Sequence, residues 1–272
     1  MHTAAKHNFL KFKNTIWSYY RKHKRALPWR STHDPYKILV SEIMLQQTQV
    51  PRVLIKYKSF LKHFGSVHAL ARANMKSVLK EWQGLGYNRR AIYLKRCADE
   101  IVKKYNGKFP KDFKSLIVLP GIGPATAGDL MAFAWNIPVP VIETNIRSVF
   151  IHFFFKDKKH IHDKDILPLV EKTLDQKNPR EWYYALFDYG VYLKKESNPG
   201  RQSKHYTKQS AFKGSYREKR STVLKLILKK SHADSEIKKI TGYSKKDIMS
   251  VLTDLAEDGF IKKSKSGRYS AA

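Results

Sequence analysis

Two glutamates stand where their surroundings would give them opposite protonation states. Glu42 falls in a helical pattern that starts at Pro35, in line with Ile38 and Leu45. A carboxyl on an apolar line is costly to ionise, so its pKa rises, which suits a general acid near neutral pH. Glu143 follows Pro138 and Pro140, which hold the chain extended, and precedes a helix that starts at Asn145. The positive end of a helix favours the anion. One protonated and one ionised carboxyl is the division of labour that cleavage of a glycosidic bond requires. Taken singly, each has a plainer reading: Glu42 as a helix-edge residue, Glu143 as a cap.

A second pattern is suited to binding. Leu119-Pro120-Gly121-Ile122-Gly123 lies between two helical patterns, and the next helix begins at Pro124. Two glycines around an apolar residue permit a tight hairpin with outward-pointing amides, an anion site at a helix start. Such a site grips a DNA phosphate without reading sequence. An ordinary helix–helix turn could use the same residues, so overall charge matters. Lysine and arginine outnumber the acids 53 to 23, a net charge of +30. That excess points to a polyanion, nucleic acid first, ahead of a membrane surface or a generally basic proteome.

The elements that must carry these residues are helical. Hydrophobic content is 42%, ordinary for a globular chain. No stretch reaches the length of a membrane span, and no signal-peptide core opens the chain. Cys97 is the only cysteine, which excludes a disulfide framework and a multi-cysteine metal site. A cytoplasmic, nucleoid-associated protein is the expectation. Asp34-Pro35 reads as N-cap and first turn of a helix reaching about Gln47. Further helices are expected at about 50–63, 67–73, 75–82, 88–105, 111–118, 125–135, 145–155, 163–173 and 179–194. Beyond a loosened stretch at 196–209 come helical patterns at 216–230, 234–241 and 245–258, then a hairpin signal around Lys265-Ser266-Gly267. Three helices and a hairpin outline a winged helix, with a plain helical cap as the alternative. Residues 194–272 carry 20 lysines and arginines against 8 acids, which suits a DNA-facing appendage. Trp29, Trp82, Trp135 and Trp182 are expected in the core, and His33, His63 and His68 lack metal-ligand spacing.

Three segments together resemble a known family. Residues 41–50 (SEIMLQQTQV), Gly84-Leu85-Gly86-Tyr87 and residues 119–128 (LPGIGPATAG) closely resemble the MutY-type adenine DNA glycosylases. These belong to the helix-hairpin-helix superfamily that includes endonuclease III. The resemblance runs from about Leu27 to Ala211. It implies an all-α, two-lobed helix-hairpin-helix glycosylase fold over residues 1–211, with lobes of about 27–137 and of 1–26 plus 138–211, and a cleft between them. Residues 212–272 would form the small winged-helix-like domain. The implied activity is excision of a flipped base from duplex DNA by a monomer. Glu42 matches the catalytic Glu that protonates the departing purine, Glu143 falls where the family has an Asp that stabilises the sugar cation, and Asn145 matches the Asn beside it. Tyr87 matches the wedge, and Leu45, Gln46 and Gln47 match residues that fill the vacated stack. Gly121, Ile122, Gly123, Ala125 and Thr126 fall in the DNA-binding hairpin and the helix after it.

Four departures shape what the resemblance implies. Glu143 is one methylene longer than the family's Asp. Ala125 stands where endonuclease III-like enzymes carry a lysine nucleophile and MutY-like ones Ser or Tyr, so Schiff-base lyase chemistry is not expected. The family's four cluster cysteines fall on Lys194, Arg201, Lys204 and Ser210, so no iron–sulfur cluster is expected. Arg201 and Lys204 would instead contact DNA by direct charge. No other cofactor or metal is called for; related folds hold an alkali ion at hairpin carbonyls, which these residues do not establish. The family's C-terminal domain, which helps sense 8-oxoguanine, is replaced by the short basic domain. Adenine opposite 8-oxoguanine or guanine therefore leads, with thymine or uracil opposite guanine, a non-catalytic mismatch sensor and a winged-helix regulator as alternatives.

Overall fold

The computed structural model describes residues 8–272 in full and residues 2–7 only as backbone of the first helix. In chain order the helices begin with α1 (His2–His23), α2 (Pro35–Leu45), α3 (Val50–His63), α4 (Val67–Arg72), α5 (Met75–Trp82), α6 (Arg89–Tyr105) and α7 (Phe113–Ile117). They continue with α8 (Pro124–Trp135), α9 (Thr144–Phe154), α10 (Asp163–Thr173), α11 (Pro179–Glu196), α12 (Tyr216–Lys229), α13 (Asp234–Thr241) and α14 (Lys245–Glu257). One antiparallel hairpin, β1 (Ile261–Lys263) with β2 (Tyr269–Ala271), completes the described residues. The helix-dominated class read from periodicity holds.

The chain divides into two compact units, residues 1–42 with 109–207 and residues 43–108 with 208–272. These are not the expected lobes of 27–137 and 1–26 plus 138–211. The difference has a packing cause: α8 leans on α11, where Phe133 stacks on Tyr184 with ring centroids 4.4 Å apart. The hairpin and α8 thus join residues 1–42 and the segments that follow them rather than residues 43–108.

In the first unit, α1 buries a stripe at helical spacing, Phe12, Ile16 and Tyr20. Phe12 meets Phe150 of α9 at 5.2 Å and Trp182 of α11 at 5.8 Å. Fully burying side chains of this size stabilises by roughly 1.5–3 kcal/mol each. Asp34 caps α2 as expected, accepting from the Tyr36 amide at 2.9 Å. Arg180 of α11 ties the turn before α2 to α8: its guanidinium donates to the carbonyls of Phe133, Arg30 and Thr32. Trp29 and Trp182 are core residues, while Trp135 keeps partial exposure.

The second unit has two apolar clusters. Val53, Phe60, Val78, Trp82, Leu94 and Ile101 fill one. Val223, Ile227, Ile237, Ile248, Leu252, Leu255 and Phe260 fill the other, so the last three helices and the hairpin share a core. Arg89 of α6 and Arg220 of α12 both donate to the Asp258 carboxylate, each at 2.5 Å. Residues 212–272 therefore pack with 43–108 as one unit, where the sequence suggested a separate domain after 211.

Candidate active site

Three carboxyls of the first unit converge: Glu42 on α2, Asp129 on α8 and Glu143 before α9. Glu42 feels the charge of Glu143, Asp129 feels the charges of both glutamates, and burial raises all three above their ordinary range. The two glutamates singled out from sequence are thus near one another, although they are distant along the chain.

Glu143 is the N-cap of α9, which begins at Thr144, one residue before the expected start at Asn145. Its Oε1 accepts from the backbone amides of Asn145 at 2.6 Å and Ile146 at 2.8 Å, and its Oε2 accepts from Asn145 Nδ2 at 3.1 Å. Burial pushes this carboxyl up, while those hydrogen bonds and the charge of Arg147 pull it back. The donors are spent on the ionised form, so Glu143 is where the site keeps its negative charge. Asn145 stands beside it as the sequence suggested.

Glu42 has the contrary setting. Burial, then the Glu143 carboxylate, push its pKa up to about 8, opposed by the charge of Arg30. It keeps partial exposure, as does Glu143. A protonated acid facing an anion can give a proton to a leaving group and shield a developing sugar cation, which is the chemistry of glycosidic cleavage.

Sequence reasoning missed what holds Arg30 there. Its guanidinium makes a fork with Asp188, two hydrogen bonds of 2.8 Å each, and lies 4.5 Å from the Tyr184 ring centroid. Asp188 is also held by Arg25 Nε at 2.5 Å. Burial raises Asp188, but the Arg30 and Arg25 partners outweigh it and hold it below the usual carboxylate range. The signal was available, because Asp188 and Asp129 are both acids in otherwise apolar helical stretches.

In the hairpin, Gly121 adopts a left-handed φ of 79°, and Gly121 and Gly123 are exposed while Ile122 is buried. Any contact made by Ile122 would therefore use its backbone. Ala125 is partly exposed and Thr126 buried on α8. Gly128 lets α8 press against residues 139–141; a Cβ there would meet Val141 Cγ2 at 2.4 Å.

The expected intercalating residues belong to the second unit. α2 ends at Leu45, two residues short of the expected end, because Gln47 turns left-handed at φ 54°. Tyr87 is also left-handed, at φ 46°, and 38% exposed. Leu45 and Gln46 keep partial exposure. Both turns hang on Arg90, which sequence reasoning overlooked. Its guanidinium donates to the carbonyls of Ile43, Met44 and Gln46 on one side and of Leu85 and Gly86 on the other. Two left-handed non-glycine residues cost on the order of 1–3 kcal/mol each, and such strain collects at functional loops.

Arg201 lies in a 3₁₀ turn (Pro199–Gln202) and Lys204 just after it, both exposed. Backbone bonds hold this loop: Ile161 N donates to Gln202 O at 3.1 Å, and Lys204 N donates to Ile161 O at 3.0 Å. Lys194, Arg201, Lys204 and Ser210 offer no thiolate, and iron–sulfur clusters are held by Cys thiolates. Cys97 is buried in α6. These donors do not fit a cluster. Among the described residues no group of three or more His, Cys, Asp or Glu is placed to hold a metal.

Comparison with known proteins agrees with the geometry. Residues 40–174 match the family described as HhH-GPD superfamily base excision DNA repair protein. The chain is 36% identical over 195 residues to an adenine DNA glycosylase of Buchnera aphidicola subsp. Baizongia pistaciae, covering 70% of this chain and 55% of that one. It is 34% identical over 189 residues to a thymine/uracil-DNA glycosylase of Pyrobaculum aerophilum, covering 67% of this chain and 82% of that one. A solved thermostable thymine-DNA glycosylase superposes with a TM-score of 0.63 at 26% identity, over 69% of this chain and 88% of the other. The chain spans about half the length of the curated adenine DNA glycosylases it matches. With that coverage, and with a helical fold shared with solved glycosylases, the chain belongs to the HhH-GPD superfamily of base excision DNA repair proteins.

Proposed function

We propose that this protein is a monofunctional DNA glycosylase, hydrolysing the N-glycosidic bond of a mismatched base flipped from duplex DNA. Adenine opposite 8-oxoguanine or guanine is the leading substrate. The observation that carries the reading is the pairing of Glu42, favoured as the acid, with Glu143, held as the anion by three N–H donors. Glu42 gives its proton to the departing base as the C1′–N bond breaks. Glu143 stabilises the cationic sugar, water adds to C1′, and the water's proton restores Glu42. Asn145 keeps Glu143 aimed. Ala125 supplies no amine, so no Schiff base forms at the sugar.

DNA would be held by charge and by the hairpin, with the exposed Gly121 and Gly123 at a phosphate. Tyr87 would enter the stack, with Leu45, Gln46 and Gln47 in the space the base leaves, repaying part of the few kcal/mol that flipping costs. Arg201 and Lys204 would contact the backbone from a loop built without a metal cluster. The basic domain from residue 212 would extend the footprint of a monomer working at the nucleoid.

A second reading changes only the base. The match to the thymine/uracil-DNA glycosylase covers 82% of that relative, against 55% for the Buchnera adenine DNA glycosylase. A single-turnover panel tests both: labelled duplexes carrying A opposite 8-oxoguanine, A opposite G, and T or U opposite G, with Glu42→Gln as control. Rapid release of adenine, lost in the control, supports the main reading; release of thymine or uracil alone transfers it to the second. Tight binding with no base released from any duplex leaves a mismatch sensor.

A further inference from the structure

Asp129 is the only ionisable residue of α8, set among Ala127, Leu130, Met131, Ala132, Phe133 and Ala134. It is 5% exposed, and its Oδ1 is fully buried with no hydrogen-bond partner. An isolated buried carboxylate is expensive, and structural acids in cores are paired with a cation. Here the charged groups that bear on it are Glu42 of α2 and Glu143 before α9. The Tyr183 phenol of α11 offers little: its Oη already donates to Val139 O at 2.6 Å and accepts from Val141 N at 3.1 Å. The nearby arginine, Arg30, is committed to Asp188.

Helical geometry says where the side chain lies. Asp129 follows Ala125 by one turn on the same face, and side chains on a helix lean toward its N-terminus. The carboxyl therefore leans toward Ala125, which is itself partly exposed. On the same face one turn later, Phe133 stacks on Tyr184, and Gly128 presses the helix against the segment leading to Glu143.

We propose that Asp129 is a third functional carboxyl of this site, which works as a neutral acid and hydrogen-bonds a polar edge of the flipped nucleobase. This rests on the glycosylase reading above. Three carboxyls cannot all be ionised in one buried cluster, and Glu143 holds the donors that keep it anionic. Burial and the charges of Glu42 and Glu143 hold the Asp129 carboxyl well above its ordinary range. A neutral carboxyl presents a hydroxyl donor beside a carbonyl acceptor in one plane. The matching ligand is a base edge with a ring or carbonyl acceptor next to an N–H, as in adenine N1 with its 6-amino group, or O4 with N3–H of thymine and uracil. Nucleobases lacking that pair would be held less well.

The test compares wild type, Asp129→Asn and Asp129→Ala in single-turnover base release across pH 5–9, on the duplex the wild type cleaves fastest. Affinity is measured in parallel for the same duplex carrying a tetrahydrofuran abasic analogue. An amide also sets a donor beside an acceptor and stays neutral, so Asp129→Asn should remain within about fivefold of wild type. Asp129→Ala should be slower by about 30–100-fold, the loss of two neutral hydrogen bonds, and all three should bind the abasic duplex equally. Three results overturn the proposal: Asn falling as far as Ala with the acid limb of the profile lost, which marks a base; Ala cleaving like wild type; or abasic affinity falling with the rate. Wild-type inactivity on every duplex overturns the glycosylase reading and this proposal with it, whereas activity shared by Asp129→Ala overturns this proposal alone.

Discussion

The Asn145 side-chain amide donates to Glu143 Oε2 at 3.1 Å while the Asn145 backbone amide donates to Oε1 at 2.6 Å, so one residue grips both oxygens of the carboxylate. The grip fixes both charge and aim at the start of α9.

Glu143→Gln keeps an oxygen for the cap but removes the charge. Base release should fall by about 10²–10³-fold, the size of losing one preorganised electrostatic group. Thermal unfolding should shift little, because swapping one capping acceptor for another costs less than removing it, itself about 1 kcal/mol. Single-turnover rates beside melting curves check both halves; equal damage to both would make Glu143 a cap alone.

The pH profile follows from Glu42. With Glu42 acting as the protonated acid and Glu143 as the anion, base release should fall as Glu143 takes a proton on the acid side, and fall tenfold per unit above about pH 8, where Glu42 loses its own. The stability sign is opposite to that of a paired acid. With its pKa raised in the folded state, the native protein binds the extra proton between the ordinary carboxyl range and about pH 8, so stability declines as pH rises through that window. Glu42→Gln should therefore abolish base release yet melt higher than wild type at pH 8. A lower melting point would contradict the raised pKa.

Arg90 should behave as a structural hinge pin. Its guanidinium serves five carbonyls and the Thr48 hydroxyl, and an ammonium has only three donors. Arg90→Lys should cost about 3 kcal/mol by stranding buried carbonyls, lowering Tm by about 10 °C. Calorimetry reads the loss, and a change under 2–3 °C would mean that these turns hold without it.

Charge reversal at Arg201 and Lys204 should weaken duplex binding and flatten its salt dependence by about two units of log–log slope, one for each phosphate contact. Fluorescence anisotropy over a salt series measures this. An unchanged slope would remove the loop from the DNA footprint.

Much of the fold was legible because helices declare themselves through local pattern. Phe12, Ile16 and Tyr20 recur at helical spacing, and each is buried. Asp34 before Pro35 announced a cap that the Tyr36 amide confirms. The surroundings of Glu42 and Glu143 were likewise local, an apolar line and a helix start.

What sequence could not supply were partnerships between distant segments. Arg30 and Asp188 are separated by 158 positions, and Arg90 reaches back more than 40 positions to the turn after α2. Asp129 passed as one acid in an apolar helix until folding placed it near two others.

Local spacing and residue type thus determined the helices, their caps and the leaning of each glutamate toward proton or charge. Tertiary structure alone decided that three carboxyls share one interior and which of them has donors. The reason is physical: helix formation depends on neighbours three or four positions away, whereas desolvation and repulsion between carboxyls depend on distance through space, which only packing sets.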